Sequence, residues 1–348
     1  MPRVSVICPT YNRGRELLHT LNSVRAQTFP DWELIVVSDA SDDDTDDVAA
    51  EVAAEDRRVR LLRTERFGFP AGPVNVALRG IGGEYVAYLD HDDLWEPEHL
   101  ATLVAVLDEG ADWVAARSRK ADARGRVTET LDPLTLCWHP EIQLMNPLFE
   151  NSCALHRSEL AEVVGGWRES GVGLEDWDLW LRLTDAGARC TTLLDRTVTL
   201  LHDPGTRQHS LPCAHEHEIA RLPDPRAARA AYRALTHPRH FEAGYEAATA
   251  DLLRWYGGLA ERGELVFPRG WEGGAEALPE AVRRHVRAVA PVWSNLIIEP
   301  KDDHVALSMV LSTMTAEHAR RYTDYFRSTM HSQMEFYEAV LPPGSVVR

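Results

Sequence analysis

From Val4 to Ala116 the chain alternates short apolar runs with stretches of helical spacing. Val4 to Cys8, Leu34 to Val37, Val59 to Leu62, the run that starts at Tyr85, and Trp113 to Ala116 read as strands. Between them, Leu17, Leu18, Leu21 and Val24 recur at helical spacing. Asp43 to Ala54 reads as a helix with an acidic first turn, as the helix dipole favours. Pro73 to Leu78 reads as a short helix, and Pro97 to Leu107 as one with Pro near its start. Strands alternating with helices predict an α/β fold, a mainly parallel sheet covered on both faces. Such sheets take ligands beyond the C-terminal ends of their strands.

The strand ends carry the chemistry. The run Tyr85-Val86-Ala87-Tyr88-Leu89 stops in Asp90-His91-Asp92-Asp93. Acids at that place suit a hard divalent cation, magnesium or manganese, of the kind that holds diphosphates. Taken alone, the same residues equally suit a solvated acidic turn, and Asp93 suits a cap for the helix at Pro97. The first strand runs into Pro9-Thr10-Tyr11-Asn12, with a Tyr able to stack on a base and an Asn expected to cap the next helix. The second ends at Asp39, placed to accept a base N–H, and Asp42 to Asp47 read as a solvated helix start. Further on, Glu175-Asp176 opens a helix, where the dipole favours the ionised carboxylate that a general base needs. Trp177 and Trp180, two large aromatics, follow closely.

Composition narrows the partners. A formal net charge of -17 disfavours nucleic-acid backbones and anionic lipid surfaces. No stretch approaches the ~18 consecutive apolar residues of a membrane span. The N-terminus runs straight into a strand with no apolar signal region, so a cytoplasmic setting is expected. Cys8, Cys137, Cys153, Cys190 and Cys213 are scattered, which argues against a structural zinc site.

After Ser118 the alternation loosens. Ser152 to Leu155, Cys190 to Leu194 and Val198 to Leu201 read as strands. Ser158 reads as the cap of a helix that stops at Gly165-Gly166, and a second helix runs from near Glu175 to Gly187. Beyond about residue 210 the chain turns Ala/Arg/Glu-rich and mainly helical. The expected organisation is one domain over 1–210 in two parts, 1–117 and 118–210. A mainly α-helical extension over 211–348 would serve acceptor or oligomer contacts. In it, Tyr322, Tyr325, Phe326, Met330, Met334, Tyr337 and Leu341 form a stripe that reads as a core face or a subunit interface, so a homodimer is among the expectations.

Together these stretches resemble the family 2 glycosyltransferases, which have the GT-A fold of nucleotide-diphospho-sugar transferases. The likeness covers roughly residues 3 to 205. Val4-Ser5-Val6-Ile7-Cys8-Pro9-Thr10-Tyr11-Asn12-Arg13 looks like the family's opening strand and base-binding turn. Gly83 to Pro97 looks like its metal-site segment, Asn151 to Arg157 and Gly165-Gly166-Trp167 like the segment leading to its acceptor site, and Glu175-Asp176 like its catalytic acidic pair.

The resemblance implies that Pro9, Thr10 and Tyr11 line the base pocket with Asp39 bonding the base. It implies that Asp90 contacts the nucleotide, that Asp92 ligates Mn2+ or Mg2+, and that His202 is a late metal or diphosphate contact. Asp176 would be the general base with Glu175 beside it, and Trp177 and Trp180 would meet the acceptor. The implied reaction is inverting transfer from a nucleotide-diphosphate sugar, UDP favoured because Asp39 suits a uracil N3–H although it would also suit guanine or thymine, to a hydroxyl of a soluble acceptor (natural product, nucleoside or saccharide). The resemblance also implies that 1–210 is the catalytic domain, with 1–117 as its nucleotide-sugar half and 118–210 as its acceptor half. The chain departs from the pattern at Pro73-Val74-Asn75, where relatives carry an Arg that meets the nucleotide; Arg13, Arg79 and Arg207 are candidate substitutes. Two rival readings are a degenerate relative that binds without turnover and a sugar nucleotidyltransferase, which would need a Gly-rich basic loop where Pro9 to Arg15 has only Gly14.

Overall fold

The computed structural model describes residues 1–122, 125–130, 132–146, 148–169, 174–201, 215–288, 296–311 and 315–347. The chain forms two compact units, one of Met1–Leu211 with Phe267–Trp271, the other of Pro212–Val266 with Glu272–Arg348.

The first unit is built on one sheet. Its strands are β1 (Val4–Thr10), β2 (Trp32–Asp39), β3 (Val59–Thr64), β4 (Tyr85–Tyr88), β5 (Leu94–Trp95), β6 (Trp113–Ala121), β7 (Val127–Thr130), β8 (Ala154–Arg157) and β9 (Cys190–Leu201). They lie in the order β3-β2-β1-β4-β8-β6-β9-β5, with β7 on β6. β1, β2, β3 and β4 pair in parallel. β8 runs antiparallel to both neighbours, and β6 and β9 are parallel. This is the mixed sheet of the GT-A architecture that the sequence predicts. Cys190 to Leu201 is one strand, where the sequence suggested two.

Helices cover the sheet. α1 (Gly14–Arg25) buries Leu17, Leu21 and Val24 and leaves Leu18 outside. α2 (Thr45–Glu55) follows β2, α3 (Ala71–Leu78) precedes β4, and α4 (His99–Asp108) precedes β6. α5 (Pro140–Met145), α6 (Ser158–Val163) and α7 (Glu175–Asp185) complete the unit. β1 and β2 are buried almost throughout, as parallel strands covered on both faces must be.

Strand order reverses between β1 and β4, and such a switch point opens a crevice at the C-terminal strand ends. Register decides what meets there. Thr10 pairs with Ser38, which sets Tyr11 beside Asp39. Ile7 pairs with Tyr88, which brings Asp90 alongside Pro9.

Among the described residues the second unit holds the α-helices α8 (Pro225–Leu235), α9 (Phe241–Glu261), α10 (Leu278–Ala288), α11 (Ala316–Thr329) and α12 (His331–Val340). It also holds an antiparallel sheet that the sequence reading did not foresee. This sheet has the order β11-β12-β10-β13, from β10 (His215–Leu222), β11 (Leu296–Pro300), β12 (Val305–Leu311) and β13 (Val346–Val347). The aromatic stripe is split between α11 and α12. Phe326, Met330, Tyr337 and Leu341 are buried, so these side chains are spent on a core and offer no open apolar face.

Candidate active site

The crevice at the switch point is a cavity of about 540 Å³. Pro9, Thr10, Tyr11, Asp39, Asp90, Asp92, Glu175 and Asp176 all line it. Four segments far apart in the chain thus meet at one place. The volume suits a single small ligand.

The base end is built by two turns tied together. Asn12 takes a left-handed backbone, φ 51, which Asn tolerates better than most residues. Its side chain does not cap α1; Arg13 stands at the cap position. Instead Asn12 Nδ2 donates to Asp42 Oδ1 at 2.5 Å, and Asp42 N donates to Asn12 Oδ1 at 3.0 Å. Arg13 N donates to Thr45 Oγ1 at 2.8 Å. These bonds fix the β1–α1 turn against the β2–α2 turn. Thr10 is 2% exposed, and its hydroxyl finds no partner among the described residues, although it faces a cavity. A buried hydroxyl without a partner is costly.

Asp39 is 4% exposed and well held. Its Oδ1 accepts from Phe67 N at 2.6 Å, and its Oδ2 accepts from Gly68 N at 2.9 Å and from Arg66 Nη1. The Arg66 guanidinium also lies over the Tyr11 ring, 3.5 Å from its centre. Sequence reasoning missed Arg66 because nothing local marks it. Of the substitutes considered for the missing arginine, Arg13 lines the cavity, Arg79 is exposed and outside its lining, and Arg207 lies outside the described residues.

The acidic strand end is locked from both sides. Asp90 N donates to Ser152 Oγ at 3.1 Å, and Asn151 Nδ2 donates to Asp90 Oδ1 at 2.9 Å. Thr20 Oγ1 donates to the carbonyls of His91 and Asp93, both at 2.9 Å. Asp93 does not cap the following helix. Its Oδ2 accepts from Ser152 Oγ at 2.6 Å and its Oδ1 from Leu201 N at 3.3 Å, so it is a buried brace between the turn ahead of β8 and the end of β9. Burial pushes the Asp93 carboxyl well up, with Asp90 and Asp92 adding repulsion. Burial raises Asp90 as well, and Asp92 adds to it.

Across the cavity, α7 opens at Leu174, whose φ of 57 turns the chain into the helix. Asp176 Oδ1 accepts its own helix's Trp177 N–H at 2.8 Å. The expectation that the helix dipole keeps this carboxylate ionised does not hold. Desolvation, then the charge of Glu150, then those of Asp90 and Glu175 outweigh the backbone bond and push Asp176 up to about 8. Glu150 itself is raised by burial and by Asp90. Glu150 and Lys120 line the cavity and were not foreseen, although Glu150 directly precedes the Asn151 segment that the sequence did mark.

Trp177 and Trp180 are not acceptor platforms. Trp177 is 4% exposed and donates from Nε1 to Gln143 O at 2.8 Å. Trp180 is 1% exposed and stacks on Trp113 with ring centres 5.2 Å apart. Apolar helix positions facing a sheet are core. Trp167, which does line the cavity, is the aromatic on that side. His202 lies outside the described residues.

Among the described residues no group of three or more His, Cys, Asp or Glu is arranged to hold a metal ion. The donor set nevertheless fits magnesium or manganese. Asp90 and Asp92 present hard oxygens in a desolvated, mutually repelling cluster that a cation would relieve. Magnesium in particular is commonly held by one or two carboxylates, with substrate phosphates and water completing its shell.

Comparison with known proteins shows the family and the fold. Residues 5–153 match the family model described as Glycosyl transferase family 2. The chain is 31% identical over 207 residues to the Bacillus subtilis protein named "Putative glycosyltransferase EpsE", covering 58% of this chain and 74% of that one. It is 36% identical over 104 residues to the Escherichia coli UDP-Glc:alpha-D-GlcNAc-diphosphoundecaprenol beta-1,3-glucosyltransferase WfgD, covering 30% and 40%. Two other relatives are matched over only 20% and 39% of their length, so the chain spans well under half of each. In fold it is similar to the crystal structure of S. aureus TarS 1-349 in complex with UDP-GlcNAc, with TM-score 0.50 and 19% identity over 97% of this chain and 91% of that one.

Proposed function

Since the chain belongs to glycosyl transferase family 2, we propose that it is an inverting transferase that moves a sugar from a nucleoside diphosphate to an acceptor hydroxyl. The observation that carries this reading is the convergence of Thr10, Tyr11, Asp39, Asp90, Asp92 and Asp176 on one cavity. The base lies over Tyr11 with an N–H to Asp39, and the Thr10 hydroxyl gains the partner it lacks. UDP is the favoured carrier: a uracil N3–H suits Asp39, and the name of the E. coli relative specifies UDP-Glc. Asp92, with Asp90, would hold Mn2+ or Mg2+, which supplies positive charge against the diphosphate when bound.

Asp176 takes the proton from the acceptor hydroxyl. The acceptor oxygen forms its bond to the anomeric carbon from the face opposite the diphosphate, and the bond to the leaving oxygen breaks with its electron pair. A carboxyl raised to about 8 is a good base for this step, because a catalytic pKa near the working pH is the most effective. Glu175, on the same first helical turn, keeps that end of the cavity acidic. Alignment of donor and acceptor in one cleft supplies much of the remaining acceleration. Residues 1–210 form the catalytic part in this reading, with 118–210 facing the acceptor.

The acceptor is a hydroxyl compound, a saccharide or a small molecule. The described residues include no helix long and apolar enough to cross a membrane. The E. coli relative's name places its acceptor sugar on diphosphoundecaprenol, so soluble and lipid-linked acceptors belong in the same assay. The test is release of UDP from UDP-sugars by wild type and Asp176→Asn, each with and without manganese. Manganese-dependent release that Asp176→Asn abolishes supports the reading. Tight UDP binding with no release under any condition favours a binding protein without turnover.

A further inference from the structure

The base end of the cavity already holds a planar, donor-bearing group from the chain itself. The Arg66 guanidinium sits 3.5 Å from the Tyr11 ring centre, a stacking distance. Its Nη1 donates to Asp39 Oδ2. The other two donors on Asp39 are the backbone N–H groups of Phe67 and Gly68, which the loop itself fixes. Arg66 alone among these three reaches Asp39 through a flexible side chain, and that side chain is 42% exposed. A nucleobase bound as proposed above would stack on the same ring and donate to the same carboxylate. Both cannot occupy that place.

We propose that Arg66 is a placeholder for the nucleobase, and that its displacement makes the subsite select nucleoside diphosphates over bare nucleosides. The inference rests on the base subsite assigned under the proposed function. Selection follows from charge. When a base takes over the stacking face and donates its N–H to Asp39, the Arg66 guanidinium loses its anionic partner. A nucleoside brings no anion to replace it. A nucleoside diphosphate does, and it brings it into a cavity that Arg66 and Arg13 both line. Arg66 thereby takes up the charge role left vacant at Val74, from a different loop. The chain thus couples recognition of the base to recognition of the diphosphate through one side chain.

The experiment is calorimetric titration of the whole chain with uridine and UDP, and with guanosine and GDP as a parallel pair, for wild type, Arg66→Ala and Arg66→Gln. Arg66→Ala should bind the bare nucleoside about tenfold more tightly than wild type, and the gain from nucleoside to diphosphate should shrink about tenfold. Arg66→Gln keeps a donor for Asp39 and guards against misfolding; it should bind the nucleoside at an intermediate strength and lose the same diphosphate gain. Nucleoside binding that weakens or stays unchanged in both variants overturns the inference. Wild type that binds neither UDP nor GDP overturns the base-subsite reading beneath it. Diphosphate binding with an unchanged nucleoside-to-diphosphate ratio in the variants sinks only the role of Arg66.

Discussion

The hydroxyl of Ser152 donates to Asp93 Oδ2 at 2.6 Å and accepts the backbone N–H of Asp90 at 3.1 Å. One buried serine from the turn just ahead of β8 therefore holds both the brace and the working end of the acidic turn. Removing it strands a buried carboxyl and an amide together. Ser152→Ala should lower stability by about 1–3 kcal/mol, the cost of leaving a buried polar group unsatisfied. It should also reduce donor turnover, since Asp90 loses its anchor. Chemical denaturation and a UDP-release assay check the two effects, and a variant that is destabilised yet fully active would show that Asp90 does not need this anchor.

Asp176 should trade stability for activity. Its folded-state pKa lies at about 8, above the ordinary carboxyl value of 3.8. Between those values the folded state holds the proton more firmly than the unfolded chain, so stability falls as pH rises through that window. Asp176→Asn removes the charge and with it the penalty. The variant should be more stable than wild type by about 1–3 kcal/mol at pH 8, and the gap should narrow towards pH 5. Turnover should fall by about 10²–10⁴. Thermal melts of both proteins at the two pH values decide it; a variant less stable than wild type at pH 8 contradicts the cause assigned to the shift.

The same group sets a pH–rate profile. Only the deprotonated base can take the acceptor proton, so kcat/KM should climb about tenfold per pH unit below the pKa and level off above about 8. A kcat/KM that is flat from pH 6 to 9 would remove Asp176 from the role of base.

Much of this was legible because strand and strand end are local patterns. The apolar run to Leu89 and its three acids needed no tertiary knowledge, and the strand alternation fixed which ends point into one crevice. What escaped the sequence was long-range pairing. Asn12 looked like a cap, but its partner Asp42 is 30 residues away. Asp93 also looked like a cap, yet it answers to Ser152 and Leu201, 59 and 108 residues away. Arg66 reaches its place through a loop that folds back on the end of β2. In the second unit, β10 reads as His-Glu-His-Glu-Ile-Ala-Arg-Leu, an alternation too polar to separate from surface helix.

Core tryptophans give a prediction that separates packing from acceptor binding. Trp180 lies flat on Trp113 at an interplanar angle of 10° and is nearly inaccessible. Trp180→Ala should cost about 3–5 kcal/mol, in the range of large aromatic deletions in a packed interior. Trp177→Phe removes the bond to Gln143 O and part of a buried ring, so it should cost about 1–3 kcal/mol and leave the acceptor KM unchanged. Acceptor titrations on Trp177→Phe check this; a large rise in acceptor KM at wild-type stability would restore it as a contact.

Asn75 offers the clearest division between donor and acceptor functions. It lies on α3, beside the nucleotide half, yet its side chain grips the far loop. Asn75 Nδ2 donates to Trp167 O at 2.8 Å, Trp167 N donates to Asn75 Oδ1 at 2.8 Å, and Nδ2 also reaches Glu169 Oε1 at 3.0 Å. The amide acts towards Trp167 as a neighbouring strand would. Gly166 permits this approach: its φ is +75, and a Cβ there would stand 2.6 Å from Asn75 Oδ1. Trp167 in turn packs edge-on against Tyr88 and lines the cavity. Asn75→Ala should therefore loosen the Trp167 wall without touching Tyr11, Asp39 or Asp92. Slow donor hydrolysis in the absence of acceptor should stay within about twofold of wild type, while transfer to acceptor falls about tenfold through a raised acceptor KM. Asn75→Asp should be worse, because a carboxylate would face the Trp167 carbonyl with no hydrogen to give. Hydrolysis and transfer measured side by side decide the matter, and an equal fall in both would mean that Asn75 shapes the donor end instead.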